Sequence, residues 1–259
     1  MKVAIVTGAS SGIGKEFVKQ LDRKKHVFEE FWLIARREDL MQELADSLHT
    51  KTRILVADLA DPDGIRILEQ ELSKEKPAVS ILINAAGFGK LGSFETIDLV
   101  SQSGMVDVNC RALTQVCHVC IPYMRHGGRI LNVGSMAAFA PQPQFAVYAA
   151  TKAYVLSFSR ALARELKPKG IIVSCLCPGP VRTQFFTVAE TYGSTLAFKK
   201  WFYARPEKVV KDAIRKMCRS QEVIVYSFPM QVVRVLEKII PHGLFLYIYQ
   251  FGQKKQEKV

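Results

Sequence analysis

The first fourteen residues constrain the fold more than any other part of the chain. Residues 2–7 are a short apolar run rich in β-branched side chains, which is typical of a buried parallel strand. A glycine-rich turn from Gly8 to Gly14 follows at once, and apolar residues then recur at helical spacing. A strand, a glycine-rich turn and a helix in this order begin a βαβ unit, whose two strands lie parallel in one sheet.

Strand-like and helix-like segments keep alternating along the rest of the chain. The alternation predicts an α/β fold: a doubly wound, Rossmann-type, seven-stranded parallel sheet with helices on both faces. The predicted strands are 2–7, 30–35, 52–57, 79–84, 129–134, 170–176 and 222–226, and the predicted helices are 12–25, 38–48, 62–74, 97–125, 146–167 and 206–219. The carboxyl ends of parallel strands share one edge, where ligands bind in such folds. We expect that edge to collect Gly8, Ala35, Asp58, Asn84, Ser135 and Pro178.

Capping residues predict several helix boundaries. The pair Asp61-Pro62 is typical of an N-cap followed by the first helical turn. Gly127-Gly128 is expected to end the helix over 97–125, whose continuity around Asn109 is weakened by Ser103-Gly104. Pro168-x-Gly170 is expected to end the helix over 146–167.

The glycine-rich turn is also a candidate phosphate site. Glycines let the backbone approach a pyrophosphate, and the first N–H groups of the following helix are free to bind it. The spacing Gly-x-x-x-Gly-x-Gly differs from the Gly-x-Gly-x-x-Gly dinucleotide fingerprint, and the alternative is a purely structural turn. The strand–turn–helix setting favours phosphate binding by Gly8, Ser10, Ser11, Gly12, Ile13 and Gly14.

A candidate proton-transfer site lies farther along the chain. Tyr148 and Lys152 are four residues apart in a predicted helix, so their side chains share one face. An ammonium beside a phenol favours the phenolate and lowers a pKa that is ordinarily about 10. If the fold brings Ser135 nearby, its hydroxyl would hold a carbonyl or alcohol oxygen against that phenol. The alternative for Tyr148 is a buried structural tyrosine.

Several motifs together resemble those of the short-chain dehydrogenase/reductases. They occur in the family's order and cover roughly residues 1–225: Thr7-Gly8-x-x-x-Gly12-x-Gly14, Asp58-Leu59, Asn84-Ala85-Ala86-Gly87, Asn109, Ser135, Tyr148-x-x-x-Lys152 and Pro178-Gly179. The resemblance implies a strand order of 3-2-1-4-5-6-7 and a dinucleotide-binding catalytic domain over residues 1–226. It also implies reversible hydride transfer between a nicotinamide cofactor and a carbonyl or secondary alcohol, and a homo-oligomer, either a dimer or a tetramer.

The resemblance further implies roles for individual residues. Tyr148 would be the proton donor or acceptor, with Ser135 orienting the substrate oxygen and Lys152 also binding the nicotinamide ribose. Asn109 would shape its helix and hold a water in the proton relay, although a lone helical asparagine is more often structural. Asp58, with Leu59, would meet the adenine amino group, although without the family Asp58 and Asn84 are equally well strand-end caps. The ribose side would be lined by Asn84, Ala85 and Gly87, and the nicotinamide would be bordered by Pro178, Gly179, Val181 and Thr183.

The end of the second predicted strand bears on the choice of nicotinamide cofactor. An acid there would bind a ribose hydroxyl, whereas arginine suits a 2′-phosphate. The strand ends in Ala35-Arg36-Arg37 without an acid, which favours NADP(H), with Arg36 ranked before Arg37. The alternative is an exposed arginine at a helix start, and Ser11 stands where many NADP-preferring members carry a basic residue.

Composition limits the remaining classes. The 259 residues suit one α/β domain, and the formal net charge of +12 suits an anionic cofactor, an anionic membrane surface or scattered solvated lysines. Nucleic acid is not expected, because there is no basic-aromatic stripe.

The six cysteines predict a reducing compartment, and Cys117-x-x-Cys120 and Cys175-x-Cys177 are interpreted as core residues instead of metal ligands. A strand starting at residue 2 leaves no room for a signal peptide, so a cytoplasmic protein is expected.

Aromatic residues after the motif at Thr183 suggest a hydrophobic substrate. Together with Phe139 and Phe145 they would line an apolar pocket for a ketone or alcohol of the steroid or acyl-chain type. The alternative is a loop held on the sheet by its own aromatics. These residues are Phe185, Phe186, Tyr192, Phe198, Trp201, Phe202 and Tyr203.

Residues 227–259 form an apolar extension beyond the core fold. Met230 to Ile240 has helical spacing, Pro241 breaks it, and the strongly apolar stretch 244–251 precedes Lys254-Lys255. Packing on the domain or on a partner subunit is favoured, with a peripheral membrane contact as the alternative. No apolar run is long enough to span a bilayer.

A non-catalytic, dinucleotide-sensing regulator is the competing class of function. The intact set of Ser135, Tyr148 and Lys152 argues against it, because a sensor needs no proton relay.

Overall fold

Seven strands form a single parallel sheet. The computed structural model describes residues 1–24, 27–192 and 203–241, together with residues 243, 244, 246 and 247. The strands are β1 (Lys2–Thr7), β2 (Glu30–Ala35), β3 (Lys51–Val56), β4 (Ala78–Asn84), β5 (Met124–Val133), β6 (Ile172–Leu176) and β7 (Val223–Ile224). Their order is β3-β2-β1-β4-β5-β6-β7, as the family resemblance implied, and β1 pairs with β2 on one side and with β4 on the other. The predicted fold class is therefore confirmed.

Helices cover both faces of this sheet. The described α-helices are α1 (Gly12–Asp22), α2 (Glu38–Asp46), α3 (Pro62–Glu75), α4 (Leu99–Val106), α5 (Leu113–Cys120), α6 (Ala146–Leu166), α7 (Phe185–Ala189), α8 (Pro206–Cys218) and α9 (Phe228–Ile239). Helices α1, α2 and α8 bury their apolar side chains on one face, where Phe17 and Val210 are fully buried. Helices α3, α5 and α6 do the same on the other face, around Leu68 and Val155. Each face thus has its own apolar core.

Capping side chains fix helix ends where the sequence predicted them. The Asp61 carboxylate accepts a hydrogen bond from the Asp63 N–H at 2.8 Å, and Pro62 occupies the first turn of α3. After α6 the chain makes one tight turn and reaches Gly170, whose φ of 68° is the left-handed conformation that ends many helices.

The helix predicted over 97–125 is not a regular α-helix around Asn109, where its continuity was already in question. The backbone widens into a π-helical segment, Asp107–Ala112, between α4 and α5. Asn109 lies in this segment, fully buried. Wider turns of this kind are rare and are found mostly at functional sites.

The predicted end of the same helix is wrong. A short turn containing Pro122 ends the helical stretch, and β5 begins at Met124 instead of residue 129. Gly127 and Gly128 therefore lie inside a strand, where the pairing of β5 with β4 shifts its register. Gly127 has a φ of 83°, so the pair provides the local irregularity of a strand and not a helix stop.

The strand ends converge at one edge, as expected. The Gly8 N–H donates to the Ile34 carbonyl at the end of β2, at 2.8 Å. The Met136 N–H donates to the Pro178 carbonyl at 2.9 Å, which joins the segments that follow β5 and β6. The ends of β1 and β2 are therefore joined, as are the segments after β5 and β6, at the edge where the strand order reverses.

The apolar C-terminal segment starts with a helix, α9, close to the predicted span. Met230 on α9 faces Gly179, where a Cβ atom would lie 2.8 Å from the Met230 sulfur. Val233 packs against the core on the same side. The predicted apolar stretch 244–251 and the lysines after it lie mostly outside the described residues. Within the described part of the chain, no helix combines the length and apolarity needed to cross a bilayer.

Candidate active site

The glycine-rich turn after β1 is packed too tightly to accept side chains. Gly8 has a φ of 66°, and a Cβ atom there would lie 2.7 Å from the Ala86 nitrogen. A Cβ atom on Gly14 would overlap the Gly8 carbonyl. The start of α1 has no side-chain cap from Ser11, so its first N–H groups stay available to a ligand. This open helix start beside a close backbone turn suits a pyrophosphate.

The two arginines after β2 point to different partners. Arg37 donates to the Ser10 and Ser11 hydroxyls at 3.1 and 2.8 Å, and also to the Gln184 side chain at 3.3 Å. Arg36 instead forms an exposed ion pair with Asp58 at 3.6 Å. Arg37, which the sequence ranked second, is therefore the guanidinium that lies against the glycine-rich turn.

Asp58 and Asn84, the two polar candidates at the strand ends, have different surroundings. Asp58 is a cap, because its carboxylate accepts from the Ala60 N–H at 3.0 Å, and it remains half exposed at the edge. Asn84 is buried inside the sheet, where its amide donates to Asn132 at 2.9 Å and to the Cys117 sulfur at 3.2 Å. The Asn84 side chain therefore ties β4 to β5 and is not a strand-end cap, while a place for Asn84 on the ribose side stays a prediction.

Asn109 fixes the loop that follows β4. Its side-chain oxygen accepts from the Phe88 N–H at 3.1 Å, and its amide donates to the Phe88 carbonyl at 2.9 Å and to Thr151 at 3.0 Å. The neighbouring Gly87 has no room for a side chain, because a Cβ atom would lie 2.8 Å from the Asn109 oxygen and 3.5 Å from the Lys152 ammonium. The π-helical segment thus holds the loop after β4 beside α6.

Ser135, Tyr148 and Lys152 meet at the end of β5. Ser135 follows β5, and its hydroxyl lies near the hydroxyl of Tyr148, which belongs to the first turn of α6. The Lys152 ammonium lies 5.6 Å from the centre of the Tyr148 ring and donates to the Val133 carbonyl at 2.8 Å. Residues from two elements therefore bring a phenol, a hydroxyl and an amine together, as the sequence predicted.

Burial controls the titration of this cluster. The loss of water around Tyr148 raises the pKa of its phenol, and the nearby Ser135 hydroxyl only partly opposes that effect. Burial likewise lowers the pKa of Lys152 from 10.5 to about 8. The predicted lowering of the Tyr148 pKa by Lys152 is therefore not what the described residues produce, because desolvation outweighs the charge of an amine that faces a carbonyl.

Aromatic rings enclose Tyr148. Phe145 stacks on its ring with centres 4.2 Å apart, and Phe185 of α7 approaches it at 5.4 Å. Gly89 provides the necessary space, because a Cβ atom there would lie 2.7 Å from the Tyr148 ring. Phe139 instead contacts Arg234 of α9, whose guanidinium lies 5.4 Å from the ring centre. Phe198, Trp201 and Phe202 lie outside the described residues.

The segment after β6 runs over the glycine-rich turn. Thr183 comes closest, since a Cβ atom on Gly12 would lie 3.5 Å from its side chain. Val181 is buried and pairs with Ala204. Farther on, Tyr192 donates to the Asp98 carboxylate at 2.7 Å, which ties the end of this segment to the start of α4.

Some contributors to the site were not predicted. Asn132 lies opposite Asn84 in the sheet register and continues the buried network to Ser159 at 2.9 Å. A polar residue within the short apolar run 130–133 was the available signal. The Val133 carbonyl, which binds Lys152, carries no side-chain signal in the sequence. Cys117, Cys120, Cys175 and Cys177 are free and buried, which confirms their assignment to the core.

Known proteins share both the sequence pattern and the fold. Residues 2–191 match the short chain dehydrogenase family. An uncharacterised oxidoreductase of Staphylococcus epidermidis is 31% identical over 184 residues, which cover 70% of this chain and 79% of that protein.

Two solved structures carry different cofactors. A short-chain dehydrogenase from Sphingobium yanoikuyae in complex with NADPH is 27% identical with a TM-score of 0.78, over 93% of this chain and 97% of that one. A 3-ketoacyl-(acyl-carrier-protein) reductase from Brucella melitensis complexed with NADH is 26% identical with a TM-score of 0.73, over 87% and 96%. Sequence match, strand order and site geometry agree, and the chain belongs to the short-chain dehydrogenase family of oxidoreductases.

Proposed function

We propose that this chain reduces hydrophobic ketones with NADPH and oxidises the matching secondary alcohols with NADP. The observation that carries the proposal is the cluster of Ser135, Tyr148 and Lys152 at the sheet edge beside the glycine-rich turn. A proton donor, an oxygen-binding hydroxyl and a nearby amine are what reduction of a carbonyl requires, once a hydride source is bound next to them.

The residues present fit a nicotinamide dinucleotide. The open start of α1 and the crowded glycines suit its pyrophosphate. Exposed Gly87, held by Asn109, leaves backbone accessible beside Lys152. When bound, the cofactor supplies the hydride that the carbonyl carbon receives.

Tyr148 supplies the proton in this scheme. During reduction its hydroxyl hydrogen passes to the carbonyl oxygen, and in the reverse direction the phenol takes a proton from the alcohol. Ser135 donates a hydrogen bond to the same oxygen and stabilises the negative charge that develops on it. Lys152 offers a positive charge close to the phenol as Tyr148 gives up its proton. Lys152 stands beside Asn109, and we propose that a water held there returns a proton to Tyr148 from solvent.

The preference for NADP(H) rests on Arg37. This guanidinium already bonds to the hydroxyls of Ser10 and Ser11, so three donors stand together at the turn where a 2′-phosphate would lie. Arg36 adds a second cation, although Asp58, with which it forms an ion pair, would compete with the phosphate for its guanidinium.

The aromatic enclosure supports a hydrophobic substrate. Phe145 and Phe185 contact the Tyr148 ring, so a bound carbonyl compound would meet apolar surfaces on both sides of the phenol. Ketones of the steroid or acyl-chain type meet this requirement.

To test the proposal, the protein is mixed with each of a panel of ketones and with NADPH or NADH. The reaction rate is measured from the loss of absorbance of the reduced nicotinamide. We expect the bulky apolar ketones to react and KM to be lower for NADPH. Tyr148→Phe is expected to lose about 10²–10⁴-fold in turnover, the usual size of a general-acid effect. Tyr154→Phe is the matched control, since Tyr154 lies on the same helix and its hydroxyl meets Thr114 instead.

Three results would contradict the proposal. Near-normal turnover of Tyr148→Phe would exclude that phenol as the acid, and an equal or lower KM for NADH would overturn the cofactor preference. Tight dinucleotide binding without turnover of any carbonyl compound would instead identify a dinucleotide-sensing regulator.

A further inference from the structure

Helix α9 is apolar on two opposite sides. One side packs inward, with Met230 against Gly179 and Val233 against the core. The opposite side, which we call the outer face of α9, is also apolar: Phe228 is 76% exposed and Ile239 is 71% exposed. The outer face consists of Phe228, Val232, Val235, Leu236 and Ile239.

The spacing of these residues makes them one continuous stripe. They lie at i, i+4, i+7, i+8 and i+11, which places them on a single side of the helix. A helix on the surface of a globular protein normally presents polar residues to water on that side, and large exposed apolar patches mark interaction sites. Beyond the end of α9, Leu244 and Tyr247 are also exposed.

We infer that the outer face of α9 docks on an anionic lipid surface. The chain carries a formal net charge of +12, and residues 227–259 contain five lysines and arginines against two glutamates. Positive charge draws a protein to anionic lipid, and apolar residues then enter the boundary between headgroups and acyl chains.

The sequence after α9 has the composition of such a boundary segment. Four aromatic residues, Phe245, Tyr247, Tyr249 and Phe251, precede Lys254 and Lys255. Aromatic side chains and lysines are enriched where a bilayer meets water. A second copy of the chain fits the same face less well, because two bodies of charge +12 repel each other whereas an anionic bilayer attracts each one.

The docking would orient the rest of the molecule. Arg234 lies on the side of α9 next to Phe139, and Met230 contacts Gly179, so the helix borders the edge of the sheet that carries Ser135 and Tyr148. The lipid surface would therefore lie beside the candidate active site. The docking itself needs no catalysis and stands or falls independently of the proposed reductase activity.

Vesicle flotation with the full chain tests the inference. The protein is mixed with vesicles of phosphatidylcholine alone, or of phosphatidylcholine with phosphatidylglycerol, and centrifuged. We expect flotation with the anionic vesicles, weakened at high salt. The double variant Val235→Glu/Ile239→Glu is expected to bind them at least about tenfold less, because two exposed apolar side chains that would enter the lipid are replaced by charges.

A matched control separates this face from general effects of charge. Leu99→Glu/Val100→Glu adds the same two charges to α4, where Leu99 and Val100 are 78% and 83% exposed. We expect this variant to float like the parent. All four positions are exposed, so both variants are expected to fold, and matching circular dichroism spectra and melting temperatures check this.

Other outcomes overturn the inference. No flotation of the parent protein with anionic vesicles would exclude lipid docking. If both double variants lost vesicle binding equally, the binding would depend on the net charge of the protein and not on the outer face of α9. A dimer of the parent in sedimentation that dissociates in Val235→Glu/Ile239→Glu, without vesicle binding, would assign the face to a second copy of the chain.

Discussion

Replacing Lys152 with methionine is expected to stabilise the protein while abolishing its turnover. The Lys152 side chain is only 5% exposed, and its ammonium meets the Val133 carbonyl at 2.8 Å. Burial lowers its pKa from 10.5 to about 8, so the folded protein holds this proton less tightly than the unfolded chain does. Methionine has a similar length and fills the same space without charge.

The size of the effect follows from the pKa shift. A shift of about 2.5 units is worth about 3 kcal/mol of folding free energy at pH 7, at about 1.4 kcal/mol for each unit. The variant leaves the Val133 carbonyl without its hydrogen-bond donor, and this loss destabilises the folded variant by about 1 kcal/mol. The net gain is therefore about 2 kcal/mol, or roughly 4–8 °C in Tm for a chain of this size.

The stability gained by Lys152→Met is expected to decrease as pH rises. Because the folded pKa lies below the unfolded one, the unfolded chain binds more protons between about pH 8 and pH 10.5, and the stability of the parent rises through that window. The penalty for burying charged Lys152 is present in full below pH 8 and vanishes as pH rises. We expect the advantage of Lys152→Met to fall to about zero near pH 10.

Urea unfolding of parent and variant at pH 7 and pH 10 measures both quantities. Lys211→Met is the control, since Lys211 is exposed on α8 and its removal should change stability little at either pH. A variant less stable than the parent at pH 7 would refute the reasoning. So would a gain of the same size at both pH values, because it would have to come from packing and not from the buried charge.

Three further substitutions test other parts of the site. Arg37→Ala is expected to raise KM for NADPH about tenfold and leave KM for NADH unchanged in steady-state kinetics, whereas Arg36→Ala should do less. Asn132→Ala removes the partner of a buried amide and should destabilise the protein by about 1–3 kcal/mol in urea unfolding; an unchanged midpoint would contradict this. Gly14→Ala forces a Cβ atom against a backbone carbonyl and should weaken dinucleotide binding, measured by fluorescence titration; unchanged affinity would contradict this.

The sheet and its ligand-binding edge could be predicted because their signals are local. The apolar run in β1, the glycines that follow it and the cap at Asp61 each act within a few residues. Once the strands are known to be parallel, the meeting of their carboxyl ends follows from geometry alone. The positions of Ser135 and Tyr148 at that edge required no knowledge of distant contacts.

The break around Asn109 depends on tertiary contacts. Its side chain makes reciprocal hydrogen bonds with the backbone of Phe88, a residue from a different part of the chain. Nothing near Asn109 in the sequence specifies that pairing, so the π-helical segment was not predicted. The same holds for the pair Arg36 and Arg37, since neighbours in sequence gave no reason to assign one to Asp58 and the other to Ser11.

The direction of the Tyr148 pKa shift could not be predicted from the spacing of Tyr148 and Lys152 alone. Helical spacing correctly placed the amine near the phenol, and a nearby charge does lower a phenol pKa. The net sign, however, depends on how much water the fold removes, and here Phe145 and Phe185 enclose the ring while Lys152 turns to a backbone carbonyl. Burial therefore raises the pKa of Tyr148 and lowers the pKa of Lys152 to about 8, so that at pH 7 the phenol is neutral and the amine is still mostly charged. For Tyr148 to act as an acid, the negative charge on its oxygen must be stabilised during the reaction itself, and Ser135 and charged Lys152 are the nearby groups of the proposed site that can do this.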